Sequence, residues 1–80
     1  MYFELAMQRY PLTSIIERDG DVWVATCLEF DIASQGSSLE EADVNLREAV
    51  TLFLDVASHD EVQRRLSNVP VVKHFEIFVG

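Results

Sequence analysis

Four stretches of this chain carry the alternation of a β-strand. In the first, Phe3, Leu5 and Met7 alternate with Tyr2, Glu4, Ala6 and Gln8, and Pro11 ends the run. Leu12 to Arg18 carries the β-branched residues Thr13, Ile15 and Ile16 and runs into Asp19-Gly20-Asp21, a tight hairpin signal, before Val22 to Leu28. In Val22 to Leu28, Trp23, Ala25 and Cys27 share one face and Val22, Val24 and Thr26 the other, so both faces are apolar or nearly so. One face calls for a helix and the other for a second contact. Val71 to Val79 alternates again, with Phe75, Ile77 and Val79 on one side and His74, Glu76 and Phe78 on the other.

Between these runs the period changes to that of a helix. Leu39, Ala42, Leu46, Ala49, Val50, Phe53 and Ala57 fall in one stripe at 100° per residue, and Leu52 and Val56 widen it on one flank. The start is marked by a capping box. Ser38 is placed to accept from the Glu41 N–H while the Glu41 carboxylate reaches back to the N–H of Ser38. Gly36 is read as supplying a positive φ at the exit from the preceding segment, and Glu40, Glu41 and Asp43 put negative charge at the positive end of the helix dipole. Residues 29–37 are read as a short irregular connection anchored by Ile32. Residues 60–66 form a short helix capped by Asp60 or Ser58 and stopped by Asn68 and Pro70. The resulting order is β-β-β-α-β, with a right-handed crossover placing the last strand parallel to the first and third. The expected fold is α+β, two layers, with one long helix packed on one face of the sheet.

Eighty residues make a single domain over 1–80, with too little interior for a deep catalytic cavity in one copy. A chain this short with 49% hydrophobic residues is expected to place some of its apolar surface in a homo-oligomer, a dimer or tetramer. Fourteen acidic against six basic side chains give a formal charge of −8, which repels phosphate backbones and favours a basic partner. The one cysteine, Cys27, excludes an internal disulfide and reads as a small buried hydrophobe. With neither a secretory leader nor a membrane span in the sequence, a cytoplasmic location is expected.

At three places the residues resemble the HicB-like antitoxin family, the small partners of HicA-type RNA-cleaving toxins. Asp21-Val22-Trp23-Val24-Ala25 resembles the family's aromatic-Val-Ala strand after a charged hairpin. Ser34-Gln35-Gly36-Ser37-Ser38 resembles its polar-Gly-polar break. Leu39-Glu40-Glu41-Ala42, with Asn45-Leu46 and Glu48-Ala49, resembles its helix signature. The likeness covers residues 12–54. Leu28-Glu29-Phe30-Asp31-Ile32-Ala33 stands where many members carry a Pro- and Cys-containing segment, and eighty residues leave no room for the DNA-binding domain that longer members carry. The resemblance implies a partial RNase H-like sheet. It also implies a type II antitoxin that neutralises a basic HicA-like toxin by protein contact, without direct nucleic-acid binding by this chain alone. The alternative is an orphan oligomeric module of the same fold with another protein or small-molecule partner.

The RNase H likeness directs attention to carboxylates. Glu4, Glu41 or Glu48, and Glu76 are the candidates for a two-metal site, but none sits in a distinctive motif and Glu41 is taken by the cap, so no enzyme activity, metal or cofactor is expected. His59 and His74 lack the spacing of a triad or metal site, and Ser37 and Ser38 are accounted for by capping. Interface candidates are Trp23, for which core filler under the helix is the stronger reading, and Phe78, an aromatic on the face shared with His74 and Glu76. Glu40, Asp43 and Glu48, with the turn residues Asp19 and Asp21, are the candidates for steering a basic partner.

Overall fold

The structure, a computed structural model, describes residues 8–80. The strand expected through Phe3, Leu5 and Met7 lies outside the described residues. Three strands form an antiparallel sheet in sequence order: β1 (Ser14–Asp19), β2 (Val22–Cys27) and β3 (Ile32–Gly36). Two helices follow, α1 (Leu39–Val56) and α2 (His59–Leu66). The architecture is α+β, with α1 laid across one face of the sheet.

Strands β1 and β2 form the hairpin that their sequence signals. Asp19 pairs with Val22, leaving Gly20 and Asp21 as the loop, and Gly20 takes φ +65°, the first-position glycine of a type II′ turn. Arg18 closes the turn by donating from Nε to the Gly20 carbonyl at 3.0 Å. The pairing register places Ile16, Trp23, Ala25, Cys27 and Ile32 on the helix side, with Ile15, Glu17, Val24, Thr26, Ala33 and Gln35 on the open side.

Residues 32–36, expected to be irregular, form the strand β3 instead. Its composition, Ile-Ala-Ser-Gln-Gly, carries little strand propensity, and pairing with β2 from Cys27↔Ile32 to Trp23↔Gly36 supplies the order that composition does not. The turn before it holds Asp31 at φ 56°, a left-handed conformation that Asp tolerates better than most residues. This turn delivers Phe30 into the core. Phe30 is fully buried and Ile32 only half-buried, so Phe30, not Ile32, anchors the connection. Its ring lies 5.1 Å from that of Phe53 and 6.4 Å from that of Tyr10, within the range of favourable aromatic pairs.

Helix α1 begins at Ser38, whose Oγ accepts from the Glu41 N–H at 3.1 Å. The return arm of the cap differs from expectation by one residue. Glu41 Oε1 accepts from the backbone N–H of Ser37 at 2.5 Å and from the Ser37 hydroxyl at 3.0 Å, because the tight turn after Gly36 brings Ser37 closer to the first helical turn. Gly36 does not adopt a positive φ. It is required for space: a Cβ there would lie 2.6 Å from the Ala42 nitrogen, so strand and helix meet backbone to backbone. Asn45 fastens the junction by donating from Nδ2 to the Gln35 carbonyl at 2.9 Å. Ala42, Leu46 and Val50 then point into the core with Ala25, Cys27 and Val62.

Helix α2 is capped by Ser58 rather than Asp60, with Ser58 Oγ accepting from the Glu61 N–H at 3.1 Å. Val62 is buried and Leu66 packs beside it against the core, and Arg65 links the helix to the core by donating to the Phe30 carbonyl and lying 4.8 Å above the Phe53 ring. The strand expected at residues 71–79 does not form. The segment leaves α2 as an exposed arm, and among the described residues no strand lies beside it to take its backbone hydrogen bonds.

Candidate interaction site

Among the described residues, two surfaces built on α1 combine apolar and charged groups. The first is its outer face. Val44, Leu52 and Val56 are exposed at helical spacing, with Glu40, Glu48 and Asp55 exposed among them. Glu40 and Glu48 therefore stand together on an apolar and acidic stripe. Asp55 completes it, a residue missed because the sequence pattern drew attention to the helix start.

The second surface is a depression of about 370 Å³ between α1 and the β1 edge of the sheet. Its walls include Tyr10, Leu12, Leu46, Val50 and Leu54, with Asp43 and Arg47 at the rim. Asp43 thus separates from Glu40 and Glu48. It turns toward the groove and accepts from Arg47 Nε at 3.0 Å, an exposed i,i+4 pair that fixes the rim more than it stabilises the helix.

Behind Cys27, which lines the groove, Glu29 is the one buried charged side chain among the described residues. Its Oε1 accepts from the Thr13 N–H at 2.8 Å and from the Cys27 thiol at 3.8 Å. Burial by itself would push the Glu29 carboxyl up, but these hydrogen bonds, the one from Thr13 foremost, hold it below the ordinary value. The same burial, with the Glu29 charge beside it, pushes the Cys27 thiol up, so Cys27 stays protonated at neutral pH and packs as a core residue. The groove floor is chemically quiet. Its lining is mixed, with Thr13, Ser14 and Thr51 beside the apolar side chains.

The other candidates disperse. Trp23 is half-buried against the core on the helix side, with the Arg18 guanidinium 6.0 Å from its ring centre. Asp19 and Asp21 are exposed at the hairpin tip, at the far end of β2 from Cys27. Phe78 stands on the arm, 92% exposed. Glu48 is exposed on α1, Glu76 on the arm, and Glu41 is held by Ser37, whose hydrogen bonds lower its carboxyl pKa; Glu4 lies outside the described residues. Among the described residues no three His, Cys, Asp or Glu side chains converge as metal ligands would, and no helix is long and apolar enough to cross a membrane. Comparison with protein-family models, curated proteins and solved structures finds no match.

Proposed function

We propose that this protein is an antitoxin of the HicB-like type, a non-catalytic binder that neutralises a small basic RNA-cleaving toxin by covering its active surface. The observation that carries the reading is the outer face of α1, where Glu40, Glu48 and Asp55 surround exposed Val44, Leu52 and Val56. Acidic groups around an apolar strip steer a cationic partner and then hold it by burial. The formal charge of −8 extends that attraction beyond the contact itself. The sequence likeness over residues 12–54 supports the choice of family, and a partial RNase H-like sheet is part of the same proposal. The cytoplasm, where such a toxin would act, is the proposed location.

The test is co-expression with the product of the adjacent gene, followed by affinity capture and an RNA-cleavage assay. Capture of a short basic protein and loss of its cleavage activity support the reading. A neighbour neither bound nor inhibited overturns it and leaves an oligomeric module with a different partner.

A further inference from the structure

Residues 69–80 are the least accounted-for part of the molecule. Helix α2 ends at Leu66, and from Val69 onward every residue is exposed. Phe75 is 81% exposed, Ile77 72% and Val79 90%, although these three share the face that alternation marks as inward. Isolated apolar side chains on a surface need no explanation, but a contiguous run of them does. The shape agrees: the molecule measures 60 × 30 × 24 Å, and its radius of gyration, 15.8 Å, exceeds the roughly 12 Å of a compact chain of this length. Among the described residues the arm has strand chemistry and no sheet.

The sheet, for its part, has an edge suited to a further strand. Helix α1 packs chiefly on β3 and β2 and reaches β1 only at its margin. On the β3 side the Gln35 carbonyl is already taken by Asn45. Next to β1 lies the depression walled by Leu12, Leu46, Val50 and Leu54. A strand added along Ser14–Asp19 would bring alternate side chains to that depression at the Ser14 end of the edge, where Leu12, Thr13 and Ser14 line it. Six residues of β1 span about 20 Å and nine residues of arm about 30 Å, so the arm is long enough to run the full edge.

We infer that residues 71–79 of one copy add as a strand to the β1 edge of a second copy, with Phe75 and Ile77 seated between β1 and α1, and that the exchange is reciprocal. The occupant is a second copy because, among the described residues, the arm is exposed throughout and the molecule is extended to 60 Å along one axis. A reciprocal exchange covers two arms and two edges at once and closes at the dimer. Backbone hydrogen bonds supply the generic part of the contact and the alternate side chains its selectivity. This inference is independent of the antitoxin reading.

Light scattering of the full chain at tens of micromolar, with two full-length variants, tests it. Phe75→Asp with Ile77→Asp disables the arm. Thr51→Trp fills the groove from an exposed position and leaves the core untouched. The wild type is expected at twice the chain mass of 9.1 kDa and each variant at 9.1 kDa with its circular dichroism retained. An equimolar mixture of the two variants should associate more strongly than either variant alone, since the intact arm of one meets the open groove of the other at one of the two contacts. A monomeric wild type overturns the inference, as does a dimer that survives the arm substitutions. A chain whose dimer is lost in the arm variant but kept in Thr51→Trp, or a mixture that associates no more than either variant alone, overturns the assignment to the β1 edge.

Discussion

The polar residues that hold this small body together are few, and each has a distinct test. Ser38 supplies the oxygen that satisfies the first turn of α1, so Ser38→Ala is expected to cost about 1 kcal/mol in urea or thermal unfolding. Ser37 acts through its backbone N–H, which alanine keeps, and through a hydroxyl exposed to water, so Ser37→Ala should cost less. An equal or larger loss at Ser37 would move the cap by one residue. Glu29 makes stability depend on acidity. Its carboxyl ionises at lower pH when folded than when unfolded, so it contributes stability above the ordinary glutamate value of 4.5 that is lost as pH falls through the folded-state value. Glu41 and Glu61 are displaced the same way, Glu41 by the Ser37 N–H and hydroxyl and Glu61 by Arg65 and Arg64. Glu29→Gln should therefore flatten, without abolishing, the fall in melting temperature between about pH 5 and pH 3. An unchanged slope would remove Glu29 from the account.

At the scale of elements, the core turns on a residue in a turn. Phe30 is fully buried against Phe53 and Tyr10, and its carbonyl receives Arg65 from α2, so it joins the strand connection to both helices. Phe30→Ala should cost about 3–5 kcal/mol, enough to abolish cooperative unfolding in a domain of this size, whereas Ile32→Val should cost at most about 1.5 kcal/mol. Paired melts decide between them. The β1–β2 hairpin and α1 were legible in the sequence because their information is local: Asp19-Gly20-Asp21 specifies its turn, and Ser38 with the 42/46/50 spacing specifies its helix. Strand β3 was not legible, since Ser34, Gln35 and Gly36 become a strand only by pairing with β2. The arm shows the converse, an alternating pattern that forms no strand without a neighbour. The candidate site was legible in part: Glu40 and Glu48 were found by charge, but the turn of Asp43 toward Arg47 and the β1 groove depend on how α1 is rotated over the sheet.

For the whole molecule, net charge and shape separate how a partner arrives from how long it stays. Fourteen carboxylates against six basic groups create a field that reaches a basic protein before contact, over a Debye length of about 8 Å at physiological ionic strength. Replacing Glu40, Glu48 and Asp55 together by Lys should slow association with a cationic toxin by about tenfold or more at low salt, and the difference should shrink as salt screens it. Truncating Leu52 and Val56 to Ala on the same face should leave the association rate nearly unchanged and speed dissociation, because apolar contact forms only after docking. Stopped-flow or surface-based kinetics at two salt concentrations resolve the two effects. If charge reversal instead acts on dissociation alone, or the apolar truncations have no effect, the partner docks elsewhere.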